Sequence, residues 1–242
     1  MKYLLTLLLL TFYTYASDAF ITPERLKELL KDKKLILLDV SSMYDTSHIM
    51  GALYADISKF TKSKYERLAS AYSKNVQKEI IDLGIDPDSH VVIYSRNSYD
   101  EFQNATYLAF VLIEHGFENV SILDGGYMAW VFEYHTLISS KKSSAKDDGT
   151  YEIKHNPNLL IEPDYIDRNS RNIVVVEKDY RDNFFDDLTL RGEDELNEFA
   201  SELSLIKDKE IAVHDETIFK ASVNWYILYK ELGFKNVKIL QF

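Results

Sequence analysis

The chain has 242 residues, 46% hydrophobic and 28% charged, with 8 Gly and 4 Pro, a globular composition that excludes disordered, collagenous and low-complexity classes. Its net charge of −11 argues against gripping a nucleic-acid backbone by counterion release. The cysteine count is 0, which removes disulfide frameworks, cysteine-ligated zinc and iron–sulfur sites, and every mechanism that depends on a thiolate.

In chain order, Met1-Lys2 gives a short positive start, Tyr3 to Tyr13 is almost wholly apolar, and Thr14-Tyr15-Ala16 places small residues before Ser17. This is the three-part pattern of a secretory signal, read here as residues 1–16. The expectation is an exported protein, periplasmic or otherwise outside the cytoplasm, with an uncleaved N-terminal anchor as the competing reading. No other segment approaches the ~20 apolar residues of a membrane span, so no stable span is expected once the signal is cleaved.

From Ile21 onward the chain presents the same signals twice. Ile21-Thr22-Pro23-Glu24 and Ile161-Glu162-Pro163-Asp164 read as helix starts with Pro in the first turn. Leu35 to Asp39 and Ile173 to Glu177 are continuous apolar runs ending in a carboxylate, followed by further apolar runs at Val91 to Tyr94 and Ile211 to His214. Gly116-Phe117-Glu118-Asn119-Val120-Ser121-Ile122-Leu123 returns as Gly233-Phe234-Lys235-Asn236-Val237-Lys238-Ile239-Leu240, identical at six of eight positions. Each copy reads as helix, Gly cap and strand. Continuous apolar strands alternating with helices predict an α/β fold, a mostly parallel sheet with helices on both faces. Two such domains are expected, over 18–138 and over a trimmed 150–242. The polar stretch 139–149 (Ser139 to Gly149) between them is read as a solvated linker.

Several of these signals together resemble the rhodanese (sulfurtransferase) superfamily in its tandem, two-domain form. They are Leu37-Leu38-Asp39-Val40, His48-Ile49-Met50-Gly51-Ala52, Leu83-Gly84-Ile85-Asp86, Val91-Val92-Ile93-Tyr94 and Leu123-Asp124-Gly125-Gly126-Tyr127-Met128-Ala129-Trp130. Tyr151 to Pro157 also resembles the bridge into the second domain of tandem rhodaneses. The second half keeps the strand pattern and the Gly-Phe-x-Asn-Val ending but has no His-Ile-x-Gly-Ala element. Asp39, His48, Gly51, Gly125, Gly126 and Trp130 are expected to be structural. His48 is expected to bond a buried partner, Gly51 to permit a close backbone approach, Gly125-Gly126 to turn the chain, and Trp130 to pack a helix on the sheet. The six histidines show no paired metal-ligand spacing, so neither a metal nor a cofactor is expected. The acidic stretch from Asp186 to Glu195 is read as a solvated surface.

The resemblance implies a catalytic cysteine directly after the strand, on a short loop whose backbone N–H groups cradle an anion and stabilise a thiolate. The matching positions are Ser95, followed by Arg96, Asn97, Ser98, Tyr99 and Asp100, and Asp215, followed by Glu216, Thr217, Ile218, Phe219 and Lys220. A serine cannot hold a sulfane sulfur, and Asp215 with Glu216 puts negative charge where the family binds an anion. The Asp215 carboxylate is read as a built-in anion filling the cradle. Ser95 to Gly116 spans 21 residues against 18 from Asp215 to Gly233, which predicts a first loop about three residues longer. Three functions stay open on these residues. The chain is a non-catalytic binding or scaffold module for a small anion or an exported protein, an enzyme using Ser95 or Arg96 on a sulfur oxyanion, or an interface partner of an active sulfur-transfer protein.

Overall fold

A computed structural model describes residues 18–61, 73–96, 98–177, 181–186, 189–202 and 209–241. The signal expected at 1–16 lies outside them. In the first half the elements are β1 (Phe20–Ile21), α1 (Pro23–Leu29), β2 (Leu35–Asp39), β3 (His48–Ile49), β4 (Leu53–Tyr54), α2 (Ser73–Asp82), β5 (His90–Tyr94), α3 (Tyr99–Glu114), β6 (Val120–Leu123), α4 (Gly126–Tyr134) and β7 (Ile138–Ser139). The second half contains β8 (Leu160–Ile161), α5 (Pro163–Asn169), β9 (Ile173–Val176), α6 (Arg181–Phe184), β10 (Phe185–Asp186), β11 (Thr189–Leu190), α7 (Glu193–Glu202), β12 (Glu210–Val213), α8 (Ile218–Tyr226) and β13 (Val237–Leu240). A π-helical turn, Ile227–Glu231, continues α8.

The first sheet has the order β1-β6-β5-β2-β4 and the second β8-β13-β12-β9, and every pairing within both is parallel. The repeat in the sequence is a repeat in register. Ile93 pairs with Ile122 and Ile122 with Phe20, while Val213 pairs with Ile239 and Ile239 with Leu160. Both helix starts place Pro at the first helical position, where the missing N–H costs no hydrogen bond.

Alternation along the strands sorts the core into two faces. Leu37, Val92, Tyr94 and Leu123 meet Leu26 of α1 and Trp130 of α4 on one side. On the other, Leu38, Val91, Ile93 and Ile122 meet α2 and α3. That second core continues without a break into α7, α8, β12 and β13, so α3 and α8 are packed between the two sheets. Phe110 meets Trp225 edge-on at 4.8 Å, Tyr107 stacks on Phe219 at 4.1 Å, and the Thr106 and Ser222 hydroxyls share a hydrogen bond of 2.8 Å. Tyr226 reaches from α8 into the first sheet, donating to the Ala19 carbonyl at 2.8 Å.

The stretch from Ser139 to Gly149 is exposed along most of its length but is laid on the first half rather than left slack. Ser139 closes β7 against His48 of β3. The Ser143 N–H donates to Tyr44 Oη at 3.0 Å, and the buried Gly149 donates to Ile81 O at 2.8 Å. Tyr151 to Asn156 then runs along α2 and the end of α3: Gln77 Nε2 donates to Tyr151 O at 2.7 Å, Lys154 N to His115 O at 2.8 Å and Asn156 N to Glu114 O at 2.7 Å.

The acidic stretch exposes its described carboxylates, Asp186, Glu193, Asp194 and Glu195, as expected, and also carries regular structure. It opens with the β10–β11 hairpin, whose buried Phe185 stands edge-on to Phe20 and Phe102 of the first half. Among the described residues no helix is long and apolar enough to cross a membrane.

Candidate functional site

Parallel strands deliver the residues that follow them to one edge of the sheet, where α/β proteins build their sites. Ser95 follows β5, two residues past Ile93, and Asp215 stands two residues past Val213, so the shared register makes them equivalent. Ser98 then caps α3, its Oγ accepting from Glu101 N at 3.3 Å, and Thr217 caps α8, accepting from Lys220 N at 3.2 Å. The cap therefore comes three residues after Ser95 but two after Asp215. This corrects the expected loop difference: only one extra residue lies in the first loop, and the other two lie in its helix, which begins one residue after the cap.

Ser95 is buried, and its hydroxyl donates to the Arg96 carbonyl at 3.1 Å. Its own carbonyl accepts from Tyr127 N at 2.9 Å. The Gly125-Gly126 turn makes that contact possible. Both glycines have positive φ, 63° and 55°, and a Cβ on Gly126 would fall 2.5 Å from Ser95 O. Gly51 works differently from expectation: at φ 88° it needs the left-handed conformation, but a Cβ there would meet nothing within 4 Å. No close approach requires it.

The Arg96 guanidinium lies 4.1 Å above the Tyr127 ring, and Nη2 donates to Ser47 O at 2.5 Å and Met43 O at 3.4 Å. Tyr127 Oη is hydrogen-bonded to Ser47 Oγ, so the His48 loop, the Ser95 loop and α4 are tied together at this cation. Below it, Asp39 ends β2 fully buried, with Oδ1 accepting from Ser41 N at 2.7 Å and Ser41 Oγ at 2.5 Å. Burial pushes this carboxyl above the usual carboxylate range, against the opposing pull of the Ser41 bonds and the Arg96 charge. Burial also drives the Tyr94 phenol upward, with the nearby Asp39 charge adding to the shift. Glu101, the fourth residue of the Ser98 cap, turns away to accept from Ser42 N and Oγ at 3.2 and 2.8 Å.

His48 is buried, bonded through Nδ1 to Tyr44 O at 2.8 Å and stacked on the Tyr44 ring at 4.0 Å. Trp130 is fully buried and donates to Leu137 O at 3.3 Å. Asp124 joins the halves: its Oδ1 accepts from Leu190 N of the hairpin at 3.0 Å, and burial raises its pKa. Asn97 lies outside the described residues, and of Tyr99 and Asp100 only the backbone, opening α3, is described.

At the second loop the half-buried Asp215 accepts from Glu216 N at 2.6 Å through Oδ1, and Glu216 pairs with Lys220 at 2.7 Å. The two loops sit on separate sheets, so Ser95 and Asp215 belong to two sites and not one. A third grouping was not legible from spacing: Glu114, His115 and His155 offer donor atoms within 4.8 Å of one another. Forty residues separate the two histidines, and only the laid-down connection brings them together.

Two parallel sheets in one register, each sending a strand into a capped loop and helix, define a tandem rhodanese-fold protein. The first half carries a rhodanese-like domain, since the family described as "Rhodanese-like domain" matches residues 22–133. It is 24% identical to a putative thiosulfate sulfurtransferase of Mycolicibacterium smegmatis, over 92% of this chain and 91% of that protein. It is 22% identical to the sulfur carrier protein TtuD of Thermus thermophilus, over 91% and 90%. SseA of Escherichia coli, a 3-mercaptopyruvate sulfotransferase of rhodanese fold, superposes with a TM-score of 0.76 at 19% identity, covering 92% of this chain and 97% of that one. Against that family's chemistry, no cysteine stands at Ser95, at Asp215 or anywhere else in the 242 residues.

Proposed function

We propose that this is an exported rhodanese-fold binding or scaffold module that does not itself carry sulfur. One observation carries the reading: the residue in the cysteine's place, Ser95, is a buried hydroxyl whose proton is engaged by the Arg96 carbonyl. A hydroxyl without an adjacent base is a weak nucleophile and forms no persulfide. Arg96 suits a small anion instead. It is held over Tyr127 by carbonyl contacts, so its positive charge is positioned rather than cancelled. The relatives' descriptions as thiosulfate sulfurtransferase and sulfur carrier make a sulfur oxyanion the natural class of ligand, and export follows from the segment 1–16.

Two measurements test this. In a thiosulfate:cyanide assay the purified protein should run at the buffer rate, with an active rhodanese as positive control. Turnover above that rate would overturn the non-catalytic reading, and its loss or survival in Ser95→Ala would tell whether Ser95 or another residue carries it. Fractionation of expressing cells should place the shortened chain outside the cytoplasm, and retention of the full chain in the cytosol would remove the export half of the proposal.

A further inference from the structure

We propose that β9 pairs with β9 of a second copy of this chain, edge to edge and antiparallel, joining the two second sheets into one. The edges of the sheets carry the argument. β1 and β4 close the first sheet and β8 closes one side of the second, and each is only two residues long. Short edges are one way in which proteins keep unpaired N–H and C=O groups from recruiting another strand. β9 is the exception. Its four residues, Ile173-Val174-Val175-Val176, contain no charge and no proline, and among the described residues it pairs with β12 alone, in unbroken register.

Its counterpart in the first half is covered. Leu37 stands beside Val92 as Val175 stands beside Ala212, and β4 lies on the far side of β2, pairing Leu38 with Leu53 and Asp39 with Tyr54. Leu37, Leu38 and Asp39 are accordingly buried, whereas Val175 is half-buried and Glu177, in the place of Asp39, is exposed.

The free groups of β9 fix the pairing. Asn172 and Val176 turn their carbonyls to β12, accepting from Glu210 N at 3.3 Å and His214 N at 2.8 Å. Successive strand residues alternate, so Ile173 and Val175 present N–H and C=O to the open edge. An antiparallel partner uses the same groups when Ile173 of one copy faces Val175 of the other, with Val174 on the two-fold axis. That register sets Arg171, just before β9, across from the partner's Glu177, just after it, once on each side of the axis. Both residues are exposed, and neither has an ion pair among the described residues. Sliding one strand by two residues in either direction loses both pairs, so charge complementarity selects this self-pairing.

The test is sedimentation equilibrium of the full chain over a wide range of concentration. Wild type should approach twice the chain mass as the concentration rises. Val175→Pro removes only an outward N–H, which an edge strand tolerates, and should give a monomer with unchanged far-ultraviolet circular dichroism. Arg171→Glu or Glu177→Arg alone sets like charges opposite each other and should weaken the dimer about tenfold. The double variant Arg171→Glu/Glu177→Arg should recover the wild-type constant. Amide hydrogen exchange at Ile173 and Val175 should slow in the wild-type dimer and stay fast in Arg171→Glu at a concentration where that variant is monomeric. A monomer at every concentration, a dimer that survives Val175→Pro, or single charge variants as tight as wild type would each overturn the pairing. Failure of the double variant to recover it would overturn the register. Arg171 and Glu177 are exposed, so the charge variants decide even if Val175→Pro does not fold.

Discussion

Asp39 shows how one buried carboxyl is held at the edge of the candidate site. It ends an apolar strand, is shut off from solvent, and keeps its place by accepting twice from Ser41. Its raised pKa is a statement about stability. Between its unfolded and folded pKa values the folded chain holds a proton that the unfolded chain has released, so its contribution falls as pH rises through that window. Asp39→Asn keeps an acceptor for Ser41 and removes the charge. It should melt a few degrees higher than wild type at about pH 8, and the gap should close as the pH is lowered to about 4. A gap that widens toward acid would mean that Arg96 outweighs desolvation. The glycines make the same point without charge. Gly126 is forced by the Ser95 carbonyl against its α-carbon, whereas Gly51 is needed only for its backbone angle.

At the scale of elements, the two loop-and-helix units are copies that have diverged at their first residue. Asp215 stands two residues ahead of the Thr217 cap of α8 and accepts from Glu216 N at 2.6 Å, which brings a carboxylate to the end of the helix where its dipole favours negative charge. Ser95 holds a neutral hydroxyl bonded to its own neighbour's carbonyl. Asp215→Ala should therefore lower stability by about 1 kcal/mol, while Ser95→Ala should stay within about 0.5 kcal/mol; thermal melting of both variants measures the difference, and equal shifts would remove the built-in-anion reading of Asp215. These units were legible in the sequence because their signals are local: apolar runs, Pro at the helix start, Gly at the cap and a near-identical octapeptide. What could not be read depends on contacts between distant segments. The β10–β11 hairpin sits in an acidic stretch that looks solvated, and Phe185 and Leu190 reveal it only by docking on Phe20 and Asp124. The strap from Ser139 to Gly149 has a linker's composition, yet Tyr44 and Ile81 hold it. The span from strand to cap measured loop and helix together, so its three extra residues could not be apportioned. His115 and His155 meet only because that strap and the connection after it lie flat.

Across the whole molecule, the copies are joined by more than a tether. The sheet faces turned toward α3 and α8 share one uninterrupted apolar core. Tyr226 spends its hydroxyl on the carbonyls of Ala19, just before β1, and Val120 of β6 in the other half, the Thr106–Ser222 bond crosses the junction, and Asp124 accepts from the hairpin. Separating the halves would bring Phe110, Trp225 and Tyr226, all fully buried, into water, at roughly 1.5–3 kcal/mol for each large side chain exposed. A half that unfolded alone would strip its partner of that cover, so the two should unfold together even though the sequence repeats. The chain carries the means to check this in its 2 tryptophans. Trp130 sits in the outer core of the first half and Trp225 at the junction in the second. In Trp130→Phe and Trp225→Phe variants the remaining indole reports one half each. Fluorescence melts of the two should differ by no more than the difference the variants show by far-ultraviolet circular dichroism. A first-half transition displaced from the second beyond that difference would show two independent domains and an interface that contributes little to either.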